Sequence, residues 1–279
     1  MKIAVVTDST ADLPREVVEQ HRIQVVPLYI NIGEESYLDG VDMTRAQFYE
    51  GLPGFKKPPT TAVPGIDAFL GAFNRAIESG AEAIISLHIS KTLSNTVDVA
   101  RLAAERIKQI PVHVLDTGNL SMGVGLLARR AAIMAEAGEK IKTILADIGD
   151  KAKRTYTFAV LSTLEFLRRS GRLSNLQFGL GSLLILKPII KMNNGVTELE
   201  RTRTITGSQH RLLQLVEEKG KLEELAFVHT HAPEKIEKLK IDAAYLVPQG
   251  EKPLVGEVTP VIGSHIGPGA VGFSFIQAG

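Results

Sequence analysis

The sequence predicts an α/β protein of two domains, an N-terminal one over residues 1–152 with a parallel sheet flanked by helices, and a smaller C-terminal one over residues 153–279 with a mixed sheet. Three observations predict it. A chain of 279 residues exceeds the usual size of one domain, which favours two packed units and leaves a large α/β barrel as the alternative. The first half alternates short β-rich runs with helical patterns, as strand-helix-strand units do. After about residue 153 that alternation gives way to closely spaced β-rich runs joined by a tight-turn signal.

In chain order, an apolar run from Ile3 to Val6 reads as a first strand, followed by a helix from about Asp12. VVPLYI (25–30) reads as the second strand, with helices near 44–52 and 65–79. The polar segment between them, residues 34–44, reads as an exposed loop, with Asp42-Met43-Thr44 suited to a helix start. AIISLHI, a helix over 92–108 and the strand VHVLD continue the pattern. Helices at 120–138 and 141–152 close the domain, the first with Leu120, Val124, Leu127, Ala131 and Met134 on one face. In the second domain YTFAVL is a strand, 164–171 a short helix, and Phe178 to Leu186 part of a nearly all-apolar segment. KPIIKM and VTELERTRTI flank Asn193-Asn194-Gly195, which predicts a hairpin. A helix at 207–219, the strand ELAFVHTH, a helix at 233–240 and strands at EVTPVI and FSFIQA complete it.

Composition removes several function classes. Lys plus Arg number 32 against 31 Asp plus Glu, so charge alone gathers neither nucleic acid nor an anionic membrane. Cysteine is absent, which excludes disulfides, thiolate metal sites and Cys nucleophiles and suits a reducing cytoplasm. The N-terminal apolar run is too short for a signal-peptide core, and the apolar stretch Phe178 to Ile190 falls short of the roughly 20 residues that span a bilayer. A cytoplasmic protein without membrane insertion is expected.

Four polar segments stand where strands end, the usual place for ligand groups in open α/β sheets. Thr7-Asp8-Ser9-Thr10 follows the first strand and has a helix cap as its rival role. Pro58-Pro59-Thr60-Thr61-Ala62-Val63-Pro64 restrains two hydroxyls between prolines. His88 to Thr96 follows an apolar strand and opens a helix, so free N–H groups and several hydroxyls coincide as they do in anion sites. Ile262 to Gly272 is a Gly-rich turn carrying His265.

At these positions the chain resembles the DegV family of bacterial fatty-acid-binding proteins. The resemblance runs through TDSTADLP, VVPLYI, PTTAVPG, ISKTLSNT, VLDTGNLSMGVG, LEFLRRSGRLS, LKPII, ERTRT and GSHIGPGAVG, in order along the whole chain. It implies a lipid held between two α/β domains, with Thr61, Ser94 and His265 bonding the carboxylate and the acyl chain in an apolar tunnel. Residues 178–186 are the expected tunnel wall. It further implies presentation of the acid to a separate ATP-dependent fatty acid kinase, which makes an acyl phosphate. No Walker-type Gly-Lys-Ser/Thr motif is present, in keeping with a lipid-binding protein that needs no cofactor and no metal of its own. Arg201 and His265 are expected at the acyl phosphate and Arg172 at the surface the kinase meets. This chain departs from the family pattern twice, with Asn95 in place of Gly and Ala62 in place of Ser. Asn shares the tolerance of Gly for positive φ.

The magnitudes divide the roles. At roughly 0.8 kcal/mol per CH₂, a 16-carbon chain gains about 12 kcal/mol gross, whereas each charge-assisted hydrogen bond nets about 1.5–3 kcal/mol. The tunnel supplies affinity and the polar trio supplies register. Three rival readings compete: a serine hydrolase using Ser94 or Ser121 with His265, a metal site on His229 and His231, and a nucleotide site at Gly123-Val124-Gly125. None has its full motif, since Gly-x-Ser-x-Gly, a third ligand and Gly-x-Gly-x-x-Gly are all missing.

Overall fold

A computed structural model describes residues 1–171 and 187–279. The first half builds a parallel sheet of four strands in the order β2-β1-β6-β7, made of β1 (Ile3–Asp8), β2 (Gln24–Val26), β6 (Ala83–His88) and β7 (Val112–Asp116). Every residue of β6 is buried, which its apolar run anticipates for a central parallel strand. Helices α1 (Arg15–Gln20), α3 (Ile66–Glu78) and α4 (Thr96–Ala104) connect these strands.

The expected second strand is two. Pro27 has no N–H to offer a ladder, so β2 stops at Val26 and the chain changes sheet. Beyond it, β3 (Tyr29–Ile32) joins β4 (Glu35–Leu38) and β5 (Thr60–Ala62) in a three-stranded antiparallel sheet ordered β4-β3-β5. The segment 34–44, expected as an exposed loop, therefore contains a strand, and Asp39 just after that strand is only 3% exposed. Helix α2 (Arg45–Gly51) follows, started by a capping box between Thr44 and Gln47.

The second half builds a six-stranded mixed sheet in the order β10-β9-β8-β13-β11-β12. Its strands are β8 (Thr155–Val160), β9 (Ile189–Asn193), β10 (Val196–Glu200), β11 (Leu222–His229), β12 (Leu254–Glu257) and β13 (Val271–Gln277), antiparallel except for the β11/β12 pair. The predicted hairpin joins β9 and β10, with Asn194 at φ 47° and Gly195 at φ 79°. Its tip docks on the first half, where the Gly195 N–H donates to the Gly118 carbonyl at 2.7 Å. Helices α7 (Glu165–Arg169), α8 (Ile205–Glu217) and α9 (Pro233–Asp242) belong to this half.

EVTPVI is not one strand. The chain leaves β12 at Glu257, and Pro260 occupies the first turn of α10 (Pro260–Ile266) behind Thr259, where a missing N–H costs nothing. His265 is thereby a helical residue, not part of a turn. Helix α4 begins at Thr96 rather than near residue 92, because residues 91–94 form a turn closed by the Leu93 and Ser94 N–H groups on the Ser90 carbonyl.

Helix α5 (Met122–Glu136) differs most from a one-faced amphipathic helix. Every residue from Met122 to Ala128 is buried, because the helix packs against strands of both large sheets. One apolar cluster runs from Val5 and Leu87 through Val124 and Leu127 to Ala226, Val228 and Ile276. Helix α6 (Ile141–Lys153) covers α5. Among the described residues no helix is long and apolar enough to cross a membrane.

Candidate functional site

A cavity of about 610 Å³ opens where the C-terminal ends of β1, β6 and β7 meet the β9–β10 hairpin and α10. Apolar side chains such as Leu28, Leu120, Leu167, Ile190, Ile262 and Ile266 form much of its wall. A smaller cavity of about 30 Å³ lies behind it, sharing Leu120, Ile190, Ile262 and Ile266 and continuing past Ala159, Val228 and Val271 of the six-stranded sheet.

Thr61, Ser94 and His265 all line the larger cavity. Thr61 is held in β5 by pairing with Ile30, and α10 packs against this strand. His265 sits in the last turn of α10, with its Nε2 2.9 Å from the Thr61 Oγ1. Gly267 ends that helix at φ 74°, and a Cβ there would meet the Phe166 ring at 2.3 Å, so glycine is needed to seat it. Ser94 closes the turn before α4. Its Oγ lies 2.7 Å from the Thr96 Oγ1 and accepts the Thr96 N–H at 3.4 Å. Asn95 also lines the cavity, yet at φ −77° it needs no left-handed backbone, so tolerance of positive φ is not what admits Asn in place of Gly. Ala62 lines the cavity as an exposed residue.

Beneath the wall lies a polar network in which every member is fully buried. Asp8 Oδ2 accepts from His88 Nδ1 at 2.8 Å and from the Ile89 N–H at 3.3 Å, while Oδ1 accepts the Thr10 N–H at 3.0 Å and the Thr10 hydroxyl. With Nδ1 donating to the carboxylate, His88 Nε2 accepts from the Ser86 hydroxyl at 2.7 Å. Thr10 and Ile89 line the cavity, so this network fixes two of its strand-end loops. Asp8 thus fills the capping role and also ties β1 to β6.

A second buried cluster anchors α10. Asp12 accepts the Thr259 N–H at 2.8 Å and the Ser121 hydroxyl. Burial pushes Asp12 up to about 6, against the opposing pull of Arg45, Ser121 and Thr259. Asp39 is pushed up to about 7, mainly by burial and further by the charge of Asp12. Among the described residues neither carboxyl oxygen of Asp39 has a partner in good hydrogen-bonding geometry, although the Ser9 and Thr259 hydroxyls and Arg45 stand near enough to pull against its upward shift. Ser121 adopts φ 54° and ψ −144°, a backbone region that side chains avoid. Both carboxyl groups escape sequence reasoning, since their contacts lie far along the chain.

The remaining candidates separate. Arg201 directly follows β10, is exposed, and is not among the described residues lining the cavity. Arg172 and the expected tunnel wall at 178–186 lie outside the described residues. His229 ends β11 with its Nδ1 accepting the Ala232 N–H at 3.2 Å, whereas His231 stands beyond the strand at φ 46°, stacked on Tyr49. The two imidazoles do not share one strand face, and among the described residues no group of three or more His, Asp or Glu is placed to hold a metal. Gly123 and Gly125 lie inside buried α5, where Cβ atoms would meet Asn119 Oδ1 at 2.3 Å and the Ala11 carbonyl at 2.5 Å. They permit close packing and leave no room for a phosphate. For hydrolysis, Ser94 bonds Thr96 and Ser121 bonds Asp12, neither reaching His265. The Ser86-His88-Asp8 chain has that order of groups but does not line the cavity.

Comparison with known proteins agrees on one family. The family model described as "Uncharacterised protein, DegV family" matches residues 2–278. A DegV domain-containing protein of Streptomyces coelicolor is 36% identical over 273 residues, covering 97% of this chain and 96% of that protein. Protein DegV of Bacillus subtilis is 32% identical, covering 98% of each chain. Its crystal structure, described as that of a fatty acid binding protein, superposes with a TM-score of 0.90 at 30% identity over the full length of both chains. A DegV family protein from Thermus thermophilus, described for its fatty acid binding, gives 0.89 at 31% identity, again over both full lengths. With the family model spanning nearly every residue and relatives above 30% identity over almost the whole chain, the protein belongs to the DegV family.

Proposed function

We propose that this protein binds one long-chain fatty acid between its two α/β domains, 1–152 and 153–279, with the carboxylate at Thr61, Ser94 and His265. The carrying observation is a cavity lined by hydroxyls and by the His265 imidazole, which sits against Thr61, together with many aliphatic side chains, and continued by a small apolar cavity along the six-stranded sheet. Neutral donors satisfy a carboxylate without the desolvation cost of a buried ion pair. The acyl chain then runs from His265 past Ile266 and Leu120 toward Ala159. The fatty acid binding described for the Thermus thermophilus and Bacillus subtilis proteins supports the same ligand class.

The protein is read as a cytoplasmic carrier, not an enzyme. Family resemblance adds a partner, a fatty acid kinase that moves the γ-phosphoryl group of ATP to a carboxylate oxygen and releases ADP. The carboxyl end of the ligand lies at the cavity mouth in this reading, where a partner reaches it. In this reading Arg201 is expected at the phosphoryl group or the partner, and Arg172 at the partner.

Organic extraction of the purified protein followed by mass spectrometry is expected to recover a long-chain fatty acid in stoichiometric amount. Recovering none, with no binding of added palmitate or oleate, overturns the reading. For the partner, Arg201→Ala is expected to slow phosphorylation about tenfold while changing fatty-acid affinity less than about twofold, since an exposed charge contributes little to holding a buried chain. Equal losses in the two assays would remove Arg201 from the phosphorylation step.

A further inference from the structure

We infer that Lys91 is the countercharge of this site and makes it select ligands by the negative charge of their head group, an inference that rests on the fatty-acid reading above. Every other polar residue on the described cavity wall is a hydroxyl, an amide or the His265 imidazole, and no Asp, Glu or Arg is among them. Among the described residues Lys91 therefore gives this wall one formal positive charge, and no carboxylate lines the cavity with it. Its ammonium forms no ion pair with an acid among the described residues. The nearby Asp116 turns each carboxyl oxygen to a backbone N–H instead, Oδ1 to Gly118 at 2.9 Å and Oδ2 to Lys91 itself at 3.4 Å.

The local backbone suits this role. The turn that carries Lys91 is fixed on both sides, by the Ser90 N–H on the Asn119 carbonyl at 2.8 Å and by the Thr92 hydroxyl on the Gly195 carbonyl at 3.0 Å. The Cα of Lys91 is thus held at the rim while its four-carbon stem lets the ammonium follow a head group. Lys91 is exposed, so its hydration is kept until an anion arrives, and the pairing carries little desolvation cost. Thr61, Ser94 and His265 recognise the shape and hydrogen-bonding capacity of a head group, whereas a fixed positive charge responds to its net charge. Lys91 supplies that charge.

The test uses the full-length protein and three ligands with the same 16-carbon chain: hexadecanol, palmitate and hexadecyl phosphate, carrying charges of 0, −1 and about −2 at pH 8. Affinities come from displacement of a fluorescent fatty acid. Lys91→Met is expected to leave hexadecanol within about 1.5-fold, weaken palmitate about twofold and weaken hexadecyl phosphate about fivefold, with the last effect shrinking in 0.5 M salt. Lys91→Arg should restore the wild-type order. Equal losses for all three ligands would mean that the lysine stem merely packs, and an unchanged affinity for hexadecyl phosphate would likewise overturn the inference. A wild-type protein that binds none of the three overturns the fatty-acid reading itself, whereas the other two outcomes leave that reading standing.

Discussion

Replacing Asp8 with alanine is expected to lower the unfolding free energy by about 3–5 kcal/mol, a large share of the stability of any domain. The carboxylate is fully buried and accepts from four donors, namely His88 Nδ1, the Ile89 N–H, and the N–H and hydroxyl of Thr10. Alanine leaves all four in the interior without an acceptor, and each unsatisfied buried group costs about 1–3 kcal/mol before relaxation. Asp8→Asn keeps one acceptor oxygen and should lose less, about 1–3 kcal/mol. Urea unfolding followed by circular dichroism reads both values. A loss below about 1 kcal/mol for the alanine variant would show that the network relaxes or hydrates freely. Fatty-acid affinity is expected to fall in parallel, because Thr10 and Ile89 line the cavity that the network holds in shape.

The chain is legible in sequence where one local rule decides the outcome. Asn194-Gly195 demands two residues at positive φ, and the hairpin forms there. The apolar run of β6 has the length of a buried parallel strand, and it is one. Reading fails where two rules compete at a single residue. Pro27 sits inside a β-rich run that looks continuous by hydrophobicity, yet its missing N–H breaks the ladder and sends the chain to another sheet. Pro260 lies within a run that looks like strand, yet Thr259-Pro260 is also a helix-start pair, and that second signal prevails. At the site, Thr61 and His265 are 204 positions apart, and no local pattern joins them. Only the ordered series of motifs along the whole chain, not periodicity, points to both residues as ligand groups. Asp39 had no signal at all, since an aspartate among Gly, Val and Asp reads as solvated until the fold buries it.

The buried pair of carboxyl groups at Asp12 and Asp39 makes the second large effect one of pH. Both groups have native pKa values raised above the ordinary carboxylate range, to about 6 and about 7, so the native state holds protons that the unfolded chain releases near pH 4. The stability they contribute is complete below about pH 4 and is lost as pH rises through about 6 to 7. Asp39 accounts for most of it, on the order of 4 kcal/mol for its upward shift from 3.8 to about 7. Asp39→Asn removes the ionisation while keeping the shape. Relative to wild type, this variant is expected to gain about 2–4 kcal/mol between pH 5 and pH 8, measured as the difference in urea unfolding free energy at the two pH values. Comparing the two proteins cancels groups that titrate alike in both, including His229, whose pKa is lowered by burial and whose contribution runs in the opposite direction. The loss of one negative charge also lowers the Asp12 pKa, which adds to the gain at pH 8. A variant that loses ground on wild type as pH rises would mean that ionised Asp39 has partners strong enough to hold its charge. The effect reaches the ligand site as well, because Asp12 holds the Thr259 N–H at the start of the helix that carries His265. Above pH 7 the two carboxylates repel each other beside that anchor, and fatty-acid affinity in Asp39→Asn should decline less between pH 6 and pH 8 than in wild type.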